Sequence, residues 1–208
     1  VPGPWVWSAS AHRYRNPATG QFIGQTQMLA LRDAYTDAKV AQARVWASQV
    51  SSGQMTLTDW QTAMRTSTKN SYIDQYVLGH GGRGSMTPTD WGRIGAEVKE
   101  QYKYLDGFTD DIASGKLSEA QIAARSELYH NSATASYERA NAYARGLPTL
   151  PYYPGDGSSD CKANCRCHWD IQDSERGGWD CYWTLGGEKP CGTCDTRAAS
   201  DNPLHVEA

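Results

Sequence analysis

Phenylalanine is almost missing from this chain: there are two among 208 residues, beside twelve tyrosines and eight tryptophans. Most of the aromatic mass therefore carries a polar handle and favours half-buried surfaces and interfaces, so the composition leans toward assembly. Long apolar runs are missing as well. No stretch approaches the roughly 18 apolar residues of a membrane-crossing helix, and no charged-then-apolar signal segment opens the sequence. The expectation is a soluble protein with no membrane partner. A basic stripe is also absent. The net charge of −3 arises entirely within residues 161–208, where five Lys/Arg stand against eight Asp/Glu, while the first 160 residues balance. Nucleic acid is thus a partner that charge does not support. The G-x-S-x-G, Walker and H-E-x-x-H patterns do not occur, and the chain is read as a non-enzyme. Finally, the first 160 residues contain no cysteine, whereas six lie between 161 and 194.

What is present divides the chain into four stretches. Residues 1–25 read as an extended arm, VPGPWVWSAS, whose tryptophans need a surface to cover, followed by a small hairpin in RYRNPATGQFI around an Asn-Pro…Gly turn. Residues 26–146 read as a helical body. Its punctuation recurs: Gly53, Gly84 and Gly115 lie 31 residues apart, and each precedes the same kind of helix start. Thr56, Thr87 and Ser118 are N-cap candidates, with Asp59, Asp90 and Gln121 three residues on to answer them. Met55 with Trp60, Met86 with Trp91 and Leu117 with Ile122 form hydrophobic staples, and Pro88 suits the first helical position. The segments do not align beyond their caps, which favours convergence on one good cap over a true repeat. Helices are expected near 26–51, 56–78, 87–113 and 118–145, the last ended by Gly146 and Pro148. Four long helices with short joints predict an elongated antiparallel body. GHGGRG (79–84) is expected to be its mobile tip.

Residues 147–160 read as a Pro/Gly linker lying across the helices, with Tyr152 and Tyr153 as anchors. Residues 161–208 read as a small irregular tail with short strands and too few aliphatic residues for a core of its own. Cys191-Gly-Thr-Cys194 has C-x-x-C spacing, whose tight turn aims two thiolates at one ion. Cys161, Cys165, Cys167 and His168 supply the other half of a tetrahedron, and zinc suits such soft ligands. A structural zinc would also fold the tail, since its binding free energy becomes folding free energy. The expected ligands are Cys161, Cys165, Cys191 and Cys194, with Cys167 and His168 as alternates and Cys181 as a lone buried thiol. Disulfides are the competing reading of six cysteines. A further alternative is catalytic: Pro190-Cys191-x-x-Cys194 with His168-Trp169-Asp170 has the outline of a zinc nucleobase deaminase. There, however, the proton shuttle is Glu, and Asp170 is one methylene shorter. Arg125 and Glu127 are read as an ordinary solvated or interface pair.

The helix IAARSELYHNSATASYERANAYARG, the linker LPTLPYYPGDG and then CKANCRCHWDI resemble the C-terminal half of phage minor head (head morphogenesis) proteins of the Mu F-like kind. Those proteins carry a helix with an Arg-Thr-Glu-like triplet, here Arg125-Ser126-Glu127. They also carry an Asn-Cys-Arg-Cys-like motif before a short strand, here Asn164-Cys165-Arg166-Cys167. The resemblance covers residues 115–172, and RYRNPATGQFI also looks like segments of phage structural proteins. It implies a virion protein acting in multi-copy assembly beside portal or major capsid proteins, present in the host cytoplasm during assembly, with no catalytic residue. The alternative function is a zinc-dependent nucleic-acid-modifying enzyme or toxin domain. Cys161 and the Cys191/Cys194 pair go beyond the Cys-Arg-Cys form.

Overall fold

The computed structural model describes residues 5–8, 10–187, 189–200 and 203–207. Residues 1–4 and 9 of the expected arm, and 188, 201, 202 and 208 of the tail, lie outside the described residues. The fold is mainly helical. Helix α1 spans Gln25–Ser51, α2 Leu57–His80 and α3 Pro88–Ala113, lengths that make the body elongated. Each cap read from the sequence is formed. The Asp90 backbone N–H donates to the Thr87 hydroxyl while Thr87 N–H donates to the Asp90 carboxylate, and Ser118 and Gln121 exchange the same pair of bonds. At Thr56 the reciprocal bond differs, because Asp59 accepts from the cap hydroxyl at 2.7 Å. The staple residues pack in the helical core as their spacing requires.

The expected fourth helix is two helices, α4 (Glu119–Asn131) and α5 (Thr134–Ala144). Between them the ladder tightens: the N–H groups of Ala133, Ala135 and Ser136 each reach back three residues, to His130, Ser132 and Ala133. The Thr134 hydroxyl donates to the Asn131 carbonyl at 2.7 Å. Short hydroxyl side chains compete for helix carbonyls, and here that competition coincides with the break.

Helix α2 is central, packed mainly on α5, with α1 against α4 and α3 against α2. Trp60, Met64, Leu105, Phe108 and Tyr129 fill the far end, with Trp60 edge-on to Phe108 at 5.3 Å. Tyr72, Tyr76, Ile94 and Val98 fill the middle, and Tyr14, Met28, Leu78 and Tyr137 the near end. In the expected mobile tip the first residues, Gly79 to Gly81, are closely packed at that near end, while Arg83 and Gly84 are exposed. Helix α2 runs on to His80, and a Cβ on Gly79 would sit 2.2 Å from the Tyr137 carbonyl oxygen. Gly81, at φ +82, closes the helix against the backbone of Trp7.

The arm is a three-stranded meander, β1 (Val6–Ser8), β2 (Arg13–Arg15) and β3 (Phe22–Ile23), one strand more than the hairpin read from the sequence. Buried Tyr14 ties it down by donating to the Gly79 carbonyl at 2.7 Å, and Trp7 N–H donates to the Gly81 carbonyl. The tail forms a second antiparallel sheet, β4 (His168–Asp173), β5 (Trp179–Thr184) and β6 (Leu204–Val206). It also contains a short helix, α6 (Gly192–Ser200), which the irregular reading did not anticipate. The inward residues Trp169, Ile171, Cys181 and Trp183 pack with Ala135 and Ala142 of α5 and with Leu147, Leu150 and Tyr153 of the linker. Tyr152 stacks on Trp169 at 5.7 Å. Among the described residues, no helix is long and apolar enough to cross a membrane.

Two predictions follow from this packing. Gly79→Ala drives a methyl into the Tyr137 carbonyl and should lower stability by about 1–3 kcal/mol in urea unfolding. His130 is buried, shares a 2.9 Å hydrogen bond between Nδ1 and the Ser71 hydroxyl, and is pushed down to about 4 by burial, with Lys39 adding to the shift. Unfolded His130 binds its proton near 6.5, so between about 6.5 and 4 the unfolded state holds more protons and stability falls as pH falls. His130→Asn should flatten that segment of the stability profile, worth on the order of 3 kcal/mol at its full extent.

Candidate metal centre

The cysteines are gathered by two local structures. Cys161 stands before a short 3₁₀ turn over Lys162–Asn164, and Cys165 and Cys167 follow it on the way into β4. Cys191 immediately precedes α6, and Cys194 lies in that helix's first turn, where the C-x-x-C spacing places both on one side. Asp160 stitches the two together: its carboxylate accepts from Thr193 N–H at 3.1 Å, and its own N–H donates to the Thr193 hydroxyl. Arg197 adds a second stitch, donating to Ser158 while its guanidinium lies 3.7 Å from the Tyr152 ring centroid.

The sulfurs converge as a result. Sγ atoms of Cys161, Cys165 and Cys194 all lie within 4.8 Å of one another. Cys165 stands 3.7 Å and Cys161 4.0 Å from Cys194, and Cys191 stands 3.6 Å from Cys161. Cys167 is buried in the same core as Cys165 and Cys194 and acts on the Cys165 thiol. Cys165, Cys167 and Cys194 are buried, whereas Cys161 and Cys191 are half-buried. Hydrogen bonding from Cys167, with help from Cys161 and Cys194, pulls the Cys165 thiol down to about 5 against its burial. Burial raises Cys191, but the N–H groups of Cys194 and Cys161 outweigh it and bring that thiol to about 7. A cluster of five sulfurs containing acidic thiols can hold a metal ion.

Three of the four expected ligands, Cys161, Cys165 and Cys194, make up the mutually close group, while Cys191 lies beside it through Cys161 and the alternate Cys167 is buried in the same core. His168 is not in the metal-compatible group. It opens β4, where burial lowers its imidazole to about 4 and the Arg32 charge adds to the effect. Cys181 lies apart, opposite Ile171 on β5, its thiol pushed up to about 11 by burial. Asp170 accepts from the Gln172 amide and lines a cleft of about 410 Å³ between the two terminal sheets, with Trp7, Tyr14 and Trp179.

Sequence reasoning did not identify the residues that fasten this cluster to the helices. Arg32 on α1 is 1% exposed. Its Nη1 donates to Glu138 of α5 at 2.6 Å and to the Cys167 carbonyl at 3.2 Å, and its Nη2 donates to the Arg166 carbonyl at 3.1 Å. The second Glu138 oxygen accepts from Trp169 N–H at 3.2 Å, and Gln25 donates to the Trp169 carbonyl. Arg166 reaches Asp37 at 2.9 Å and Asn131 at 3.3 Å, while Asn131 donates to Asn164 at 2.7 Å. Every residue of Asn164-Cys165-Arg166-Cys167 therefore either joins the sulfur cluster or grips the helices. Nothing in the spacing of Arg32, Asn131 or Glu138 marks them beforehand. By contrast, Arg125 and Glu127 do not pair with each other: Arg125 pairs with Asp111 and Glu127 with Arg44, both near the surface.

No family model matches the chain, and neither a curated protein nor a solved structure matches it.

Arg32→Ala would leave Glu138 buried without its partner and free the carbonyls of Arg166 and Cys167. It should cost about 3–5 kcal/mol in denaturant unfolding and raise amide exchange across residues 164–173 before the far end of the body is affected.

Proposed function

We propose that this is a structural virion protein of a phage, a minor head component working through contacts with portal or major capsid proteins, with its tail folded around a structural zinc. The observation that carries this reading is the sulfur geometry. A tetrahedron with zinc–sulfur bonds of about 2.3 Å has edges of about 3.8 Å. Three sulfur separations come near that edge: Cys191 to Cys161 at 3.6 Å, Cys165 to Cys194 at 3.7 Å and Cys161 to Cys194 at 4.0 Å. Cys161, Cys165 and Cys194 supply three mutually close thiolates, and Cys191, beside Cys161, would complete a closed four-thiolate set, the arrangement of zinc sites that build structure rather than activate water. The resemblance to Mu F-like head proteins supports the same direction, because its Asn-Cys-Arg-Cys motif is here the segment that docks the tail onto α1 and α4.

The deaminase-like alternative needs a proton-shuttling carboxylate beside an open metal position. Its candidate, Asp170, lies in the cleft between the terminal sheets. An Asp170→Ala chain that loses a nucleic-acid-modifying activity while retaining its metal would favour that alternative.

Reduced, purified protein should contain about one zinc per chain by elemental analysis. Cys165→Ser or Cys194→Ser should lose it, while Cys181→Ser should retain it. Chelation should raise hydrogen exchange through residues 160–200 and leave α2 and α3 protected. The assembly reading is tested separately by mass spectrometry of purified virions from a phage encoding the chain. Its absence from particles, with no binding to their portal or capsid proteins, would defeat that reading whatever the metal result.

A further inference from the structure

Five cysteines gather where a zinc site needs four, and they are not equally placed. Cys165, Cys167 and Cys194 are 1%, 5% and 1% exposed, while Cys161 and Cys191 form the half-buried outer rim, 3.6 Å apart. The rim pair also joins two segments that other bonds already hold together. Asp160 is bonded to Thr193, and Arg197 to Ser158, linking the residues just before Cys161 to those just after Cys191. Closing from 3.6 Å to a disulfide length of about 2.05 Å thus requires a shift of about 1.5 Å at the start of α6, without opening the tail.

We propose that Cys161 and Cys191 are a convertible pair. With zinc bound they are two of its ligands, and in the presence of a peroxide-class oxidant they form a disulfide, release the ion, and keep α6 docked covalently. The inference rests on the zinc reading above and adds a modification site to it. In the first step one rim thiolate attacks a peroxide oxygen. Its sulfur gains that oxygen as a sulfenic acid, the O–O bond breaks, and the departing oxygen takes up a proton to leave as water. The second rim thiolate then attacks the sulfenic sulfur, the S–O bond breaks, and its oxygen leaves as a second water after protonation. Two sulfurs have lost two electrons in total, hydrogen peroxide has accepted them with two protons, and zinc departs because two anionic ligands are gone. The buried sulfurs of Cys165, Cys167 and Cys194 stay reduced because solvent does not reach them. The tail is then stapled in both kinds of redox surroundings, by a metal where thiols stay reduced and by a bond where they do not.

The test treats zinc-loaded, full-length protein with hydrogen peroxide, reads released zinc with a colorimetric chelator, and maps disulfides by peptide mass spectrometry. One Cys161–Cys191 disulfide should form per zinc released, with α6 amides protected to within about twofold of the zinc-bound rate. Cys167→Ser should release zinc at an unchanged rate, whereas Cys191→Ser should form no intramolecular disulfide at the rim. First closure between Cys165 and Cys167 or Cys194, zinc loss without a disulfide, or exposure of α6 on oxidation would each overturn the proposal. If reduced protein carries no zinc, the metal reading fails independently. The same oxidation of the metal-free chain still reports the pairing, and a pairing other than Cys161–Cys191 overturns the proposal there too.

Discussion

The tail depends on one guanidinium. Arg32 places its donors on Asp33, Glu138 and two successive carbonyls of the cysteine segment, so a charge taken almost wholly out of water has partners in several directions. Such a buried pair is a poor source of net stability, because desolvation offsets most of its attraction. What it supplies is direction. A planar fork accepts carbonyls only along its own donor axes, so the chain entering β4 can approach α1 and α5 in one orientation. Glu138 extends the constraint by accepting from the next backbone N–H, that of Trp169.

The division of labour in the tail follows from that orientation. Trp169 and Trp183 cross edge to face at 5.1 Å and lie over Ala135 and Ala142, whose small side chains let the sheet come close to α5. The sheet thus borrows the helical body for its hydrophobic floor, and the sulfur cluster only has to position α6 and the 3₁₀ turn. The outward edge of β4 is closed by side chains from the same body: Glu138 and Gln25 on Trp169, and Arg145 on the Ile171 carbonyl at 2.6 Å. Capping of this kind suppresses the pairing with foreign strands that a bare edge invites.

Local chemistry was legible in the sequence, and long-range chemistry was not. The caps at Thr56, Thr87 and Ser118 could be read because a cap involves residues three apart, and Cys191 with Cys194 because a C-x-x-C turn is equally short-ranged. The division of the fourth helix at Ser132 and Ala133 was missed because neither residue is a strong breaker. The packing of Gly79 was missed because glycine marks both a mobile loop and a close approach, and only the position of Tyr137 distinguishes them. The anchoring role of Arg32 was not legible either, since an arginine in an amphipathic helix looks like any solvated one until its partners are placed. The sequence did indicate that the tail lacked a core of its own. It did not show that α5 would supply one.

The separations along the chain also impose a timetable. The bond from Arg32 to Arg166 spans 134 residues, and the sulfur cluster needs Cys191 and Cys194 as well. The helical body contains most of its own partners and can settle while the cysteine segment is still being made, since chains fold from the N-terminal side as they emerge from the ribosome. The surface that receives the tail therefore exists before the tail does. Cys191 and Cys194 then have a site to close whose other half, on the segment gripped by Arg32, can already be in place, so the order of translation can become an order of assembly within one molecule.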